Sequence, residues 1–153
     1  MLDFWSPRVE GLRRRDVAGI VDALRGGGLR TRRAAANALI AIPDSRATDA
    51  LARAATDPDA LLRANAVLAL GELRGPQSPE EERRVHDVLV GALGDPEPRV
   101  RAMAASALGR VRSPASLDAL AAALADGDRV VGATARAVLR AYDDPRAAGA
   151  LAR

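Results

Sequence analysis

A chain of 153 residues with 48% apolar content is long enough to bury one sizeable core, yet it holds one Phe, one Trp and one Tyr, so Ala, Leu and Val must fill it. A net charge of +3 is far from the footprint of a dedicated DNA binder, and every one of the 23 basic residues is Arg, a bias that fits GC-rich coding. Zero Cys excludes disulfides and thiolate sites. No apolar run approaches the roughly 20 residues of a membrane span. MLDFWSPRVE lacks the apolar stretch of a signal peptide, so a cytoplasmic protein without membrane contact is expected.

In chain order, residues 1–6 read as an N-terminal capping segment, with Leu2, Phe4 and Trp5 expected to fold back over the first helices. Ser6-Pro7 gives a cap and a proline at the first helical position. Val9, Leu12, Val17, Ile20, Val21 and Leu24 then form a helical stripe that Gly26-Gly27-Gly28 ends. A second helix is expected over about Leu29 to Ile42 and a third over about Asp44 to Thr56. Asp57-Pro58-Asp59 opens a fourth that reaches about Leu73, and residues 74–79 form the longest loop. Ser78-Pro79-Glu80-Glu81 has the capping-box spacing and starts a helix to about Leu93. A further pair covers about Pro98 to Val111 and Pro114 to Ala125, then one helix covers about Arg129 to Tyr142. Asp144-Pro145 begins a shorter, truncated ninth helix.

The segments repeat. DPDALLRANAVLALGEL from Asp57 falls under DPEPRVRAMAASALGRV from Asp95 at a shift of 38 residues, and Asp126, Val131, Leu139 and Tyr142 fall under Asp95, Val100, Leu108 and Val111 at a shift of 31. At a shift of 69, Thr31-Arg32, Ala38-Leu39 and Ile42 match Val100-Arg101, Ala107-Leu108 and Val111. A period in the 30s with helical spacing in each half is the signature of an all-α solenoid, here about four helix pairs plus the ninth helix in a single domain over residues 1–153.

These phrases resemble HEAT repeats, in particular the short form of the family named after phycobilisome lyases. The hallmark is a turn Asp followed five and six positions later by an apolar residue and an Arg: Asp57/Leu62/Arg63 and Asp95/Val100/Arg101. The resemblance implies a hydrogen-bonded ladder of Asp57, Arg63, Asp95 and Arg101 between repeats. The fourth copy has Gly132 for Arg and the first has Gly26 for Asp, so the ladder is expected to be central and absent at both ends. The resemblance also implies that the helices beginning at Leu29, Asp59, Pro98 and Arg129 line a concave face. Arg30, Arg33, Asn37, Leu61, Asn65, Leu68, Arg99, Met103, Arg110 and Val130 are then the expected partner-binding residues. Such a floor, apolar with scattered Arg, suits a protein or peptide better than a phosphate backbone.

No catalytic constellation is visible, and neither metal nor other cofactor is expected, since a metal cluster or histidine base could draw only on His86. HEAT proteins that hydroxylate at an iron pair need several His-Glu pairs, whereas this chain offers only His86-Asp87. His86 reads instead as a packed histidine, and Asp49, Asp87 and Asp118 as a solvated outer face rather than an acidic track. The expected function is a non-catalytic adaptor. The alternative is a HEAT-like nucleic-acid binder using Arg8, Arg13, Arg14, Arg15, Arg25, Arg30, Arg32 and Arg33 of the basic N-terminal part together with the scattered Arg residues of the concave face. Leu139, Tyr142 and Leu151 are expected to be under-covered, which would favour self-association at the C-terminal end.

Overall fold

The computed structural model describes residues 16–74 and 77–153. The expected fold-back of Leu2, Phe4 and Trp5, the Ser6-Pro7 cap, the Val9 and Leu12 part of the stripe, and Arg8 with Arg13 to Arg15 lie outside those residues, as does part of the loop at 74–79.

Among the described residues there are nine α-helices, two short 3-10 turns and no strand. Helix α1 spans Val17–Gly26. Its buried Val17, Ile20, Val21 and Leu24 keep the expected stripe. It does not run through Asp16 as expected: Asp16 sits at φ −78°, ψ 81°, and its carboxylate accepts from Gly19 N at 3.1 Å, so it caps a new start. Helix α2 spans Leu29–Ala41.

The third helix differs from expectation at its entry. Asp44 caps a 3-10 turn, Ser45–Ala47, and α3 covers only Thr48–Ala54. The same happens at Ser113, which caps Pro114–Ser116 ahead of α7, Leu117–Ala123. In both places a short side chain takes an N–H two residues on, which favours the tighter turn.

Helix α4 spans Ala60–Glu72, capped by Asp59. Helix α5, Pro79–Ala92, has the full capping box, with Glu81 N donating to Ser78 Oγ at 3.2 Å and Ser78 N to Glu81 Oε2 at 2.9 Å. Helices α6 (Pro98–Val111), α8 (Arg129–Arg140) and α9 (Pro145–Leu151) complete the chain.

Helices pair as α1 with α2, α3 with α4, α5 with α6 and α7 with α8, while α9 packs on α7 and α8. Helices α2, α4, α6 and α8 also stack directly on one another, whereas the outer row touches far less. The row α2, α4, α6 and α8, whose neighbours approach most closely, is termed the inner row. Closeness is set by glycine: a Cβ on Gly71 would stand 2.6 Å from the Cβ of Ala107, and one on Gly109 would stand 2.9 Å from Cγ2 of Val138. A contiguous core of Ala, Leu, Val and Ile runs from Val17 to Ala147.

The expectation of an under-covered C-terminal end is corrected at Leu139, which is 1% exposed because α9 lies over it. Tyr142 and Leu151 are partly buried against the core, and the Tyr142 hydroxyl donates to Leu108 O at 3.3 Å.

Candidate partner-binding face

The turns before α4, α6 and α8 fix the geometry of the stack. Asp57, Asp95 and Asp126 each accept the N–H two residues on, at 2.9, 2.9 and 2.8 Å, which folds the turn around the carboxylate. That places the second carboxylate oxygen toward the preceding repeat. Arg63 of α4 reaches forward to Asp95 with two bonds of 2.8 and 2.9 Å, and its Nη1 donates to Asp57 O and Pro58 O of its own turn. Arg101 of α6 repeats this, with 2.8 and 2.9 Å to Asp126 and further bonds to Asp95 O and Pro96 O. The Arg63 and Arg101 side chains are 13% and 17% exposed.

The expected absence of the ladder at the first repeat is corrected. Arg32 of α2 is hydrogen-bonded to Asp57, so a rung joins the first repeat to the second. The reason is direction. Each Arg points to the Asp of the next repeat, so the first repeat needs no Asp of its own and the last needs no Arg.

Arg33, expected among the partner-binding residues, is already engaged within the chain. It aligns with Ala64 and Ala102, which lie buried between repeats, and so it faces α4 rather than the ligand side. Its Nε donates to Asp59 Oδ1 at 2.9 Å, and a second bond joins Nη2 to Oδ2. The guanidinium, with help from the Leu62 N–H, holds the Asp59 carboxyl down at about 2. Arg63 and Arg101 likewise hold Asp95 and Asp126 below the usual carboxylate range, and are themselves raised by those partners.

On the inner face, Arg30, Asn37 and Arg99 are exposed, whereas Leu61, Asn65, Leu68 and Met103 are half-buried. Arg110 was expected to be free for a partner's acid. It instead bonds Glu72 of α4 at 2.8 Å while remaining half exposed. Val130 is 63% exposed, the most open large apolar side chain among the described residues. The structure brings Arg110 and Val130 together with Ser106, Thr134 and Ala137 along an open groove of ≈1260 Å³ between α6 and α8, which continues around α8 to Arg136 and Arg140. These last two were not singled out from the sequence. The signal was available in the repeat alignment, where they stand opposite Ala105 and Gly109.

His86 is half-buried, with Nδ1 3.5 Å from Asp87 Oδ1 and Nε2 buried without a partner among the described residues. Asp49 on the outer row is paired with Arg84 at 2.6 Å. Among the described residues no group of three or more His, Asp or Glu is placed to hold a metal ion, and no helix is long and apolar enough to cross a membrane.

Antiparallel helix pairs stacked in register and joined by forward-reaching Arg–Asp rungs define an α-solenoid repeat protein. The chain belongs to the HEAT-repeat family, which it matches over residues 17–81 and 81–140. No curated protein matches it. Among solved structures it is similar to a chain of the complex of CpcE and CpcF of phycocyanin lyase from Nostoc sp. PCC7120, with a TM-score of 0.74 and 23% identity over 86% of this chain and 85% of that one. It is also similar to human deoxyhypusine hydroxylase in complex with glycerol, with a TM-score of 0.65 and 32% identity over 82% of this chain. The match spans 43% of the hydroxylase, less than half its length.

Proposed function

We propose that this HEAT-repeat chain is a non-catalytic adaptor that holds a segment of a partner protein against the face formed by α2, α4, α6 and α8. The observation that carries this reading is Val130, 63% exposed in the groove between α6 and α8. An aliphatic side chain left open there loses about 1–2 kcal/mol of burial that a partner would supply. Farther along the same row of helices the half-buried Leu61, Leu68 and Met103 offer further apolar contact. Arg30 and Arg99 make no ion pair with other described residues and can take carboxylates in two-pronged fashion. Arg33 and Arg110 contribute less, because Asp59 and Glu72 already hold them. The similar fold in the CpcE–CpcF structure belongs to a chain in a complex of two proteins, which supports a protein as the ligand class.

The test is recovery of a partner on tagged chain from the source cells. A protein retained by the wild type and by the outer-surface variant Arg53→Glu, but lost with Arg99→Glu/Val130→Asp, supports the reading. Retention by the double variant, with circular dichroism and Tm unchanged, overturns it. Recovery of nucleic acid in place of protein, abolished by Arg30→Glu/Arg99→Glu, would favour the alternative ligand class.

A further inference from the structure

The end face of α8 occupies the same register as the faces on which the inner helices stack, yet it carries different chemistry. Toward α6, helix α4 presents Ala64, Val67 and Gly71; toward α8, helix α6 presents Ala102, Ala105 and Gly109. The four Ala and Val residues are at most 5% exposed. The equivalent positions of α8 hold Ala133, Arg136 and Arg140, all exposed, with Arg129 in line where α6 has Pro98. The ladder position is Gly132, so no guanidinium reaches forward. Arg140 stands where Gly71 and Gly109 admit the next inner helix, so a helix seated there as closely as α6 sits on α4 would meet its side chain.

Residues 129, 133, 136 and 140 fall on one stripe of a 3.6-residue helix. Arg136 lies about 10.5 Å along the axis from Arg129, and Arg140 about 6 Å beyond that. None of the three makes an ion pair with other described residues. Acidic side chains flank the stripe, with Asp128 at the N-cap of α8 and Asp143 just past its end. That alternation repels a continuous phosphate backbone and complements a protein of mixed charge.

We propose that this face docks a helix of a partner protein that carries carboxylates spaced to meet Arg129, Arg136 and Arg140, continuing the stack with charge in place of small-residue packing. The stripe lines the far side of the groove that holds Val130, but the docking contact rests on the three Arg residues and does not require Val130.

The probe is a fluorescein-labelled Ala-rich peptide of about 20 residues, long enough for helix formation. It carries Glu at positions i, i+4 and i+11, the antiparallel complement of the stripe, with Lys outside them. A scrambled peptide of the same composition and a duplex DNA serve as competitors, and anisotropy is read at about 0.15 M salt, where surface charge beyond about 8 Å is screened. The expected result is binding to the wild type at least ten-fold tighter than for the scrambled peptide. At least ten-fold should be lost in Arg136→Glu/Arg140→Glu and in the milder Arg136→Ala/Arg140→Ala, both with unchanged helicity, and nothing in Arg30→Glu/Arg99→Glu. Equal binding of matched and scrambled peptides, no binding to the wild type, or an equal loss in Arg30→Glu/Arg99→Glu would overturn the proposal. So would displacement of the peptide by DNA at lower concentration, or a wild-type homodimer that Arg136→Glu/Arg140→Glu dissolves.

Discussion

The junction between α4 and α6 and the outward face of α8 are the same stretch of the repeat put to opposite uses. At the junction, Val67 and Gly71 let two helices approach until backbone meets backbone, and Arg63 closes the gap with two hydrogen bonds to Asp95 while two more anchor it to its own turn. On α8, Arg136 and Arg140 replace the small residues and Gly132 replaces the rung. Stacking in this protein therefore has two separable requirements, a thin surface and a forward-reaching cation. A surface that lacks both offers the next helix of this kind neither the close seat nor the rung.

The comparison can be broken most severely by exchanging its key residue. Gly71→Arg writes the α8 residue into α4. Even the first carbon of the new side chain would meet Ala107 Cβ at 2.6 Å and Cα at 2.7 Å, so the helices must part. We expect a loss of about 3 kcal/mol or more and a Tm fall of about 10 °C, if the variant folds at all. The reverse exchange, Arg140→Gly, touches no packed neighbour and should cost only the helix-propensity difference, about 1 kcal/mol. Thermal melts of the two variants check this, and equal effects would contradict the packing account.

The second requirement is tested at the rung. Arg63→Ala leaves Asp95 with only the Glu97 N–H and strips two carbonyls of their donor. A loss of about 2–3 kcal/mol is expected, a Tm fall of about 5–10 °C. Arg110→Ala removes a bond to Glu72 from a guanidinium that is half exposed, so its effect should stay under about 1 kcal/mol. Denaturant melts of both variants give the ratio directly.

How far these positions could be read beforehand depends on whether their cause is local. The Ser78–Glu81 capping box lies within four consecutive residues, and the structure forms it as that spacing implies; the Asp57/Leu62/Arg63 pattern, read by resemblance, spans seven residues. The reach of the guanidinium is not local. Whether Arg32 bonds its own turn or the next depends on how repeats are stacked, so the first rung was missed. Periodicity does not separate the ligand side from the junction at Arg33, because neighbouring helix positions differ by only about 100° and the ridge between two faces is narrow. The burial of Leu139 is not legible in the sequence, because its covering by α9 depends on where a short helix lies, which periodicity does not encode.

Acid titration sharpens the same contrast. Asp59, Asp95 and Asp126 ionise below the ordinary 3.8 because Arg33, Arg63 and Arg101 hydrogen-bond their carboxylates. In the unfolded chain they return to the ordinary value, so between about 4 and about 2 the unfolded state binds more protons than the folded one. Stability from these pairs is therefore complete above the unfolded value and falls as pH drops through the folded one. Urea melts from pH 5 to pH 2 should show this decline. Arg33→Ala should flatten it by releasing Asp59, whereas Arg140→Gly should leave the slope as in the wild type.

The smallest expected effect lies at the end of α6. Arg112 closes that helix in the left-handed region, at φ 53° and ψ 35°, the only non-glycine residue there among the described residues. Its α8 equivalent, Asp143, does not share that conformation. A side chain costs about 1–2 kcal/mol in this region, and glycine does not. Arg112 offsets that cost with two contacts to the last repeat. Its Nη2 donates to Ala141 O at 2.8 Å, and its guanidinium carbon lies 5.9 Å from the centre of the Tyr142 ring. At an exposed position these amount to about 1 kcal/mol together. Arg112→Gly exchanges the contacts for relief of strain and should change stability by less than about 0.5 kcal/mol. Arg112→Ala loses the contacts and keeps the strain, so it should melt about 2–4 °C below the wild type. If Arg112→Ala is at least as stable as Arg112→Gly, the left-handed turn is not strained; if Arg112→Ala melts with the wild type, the Arg112 contacts are not what holds α6 to α8 at that edge.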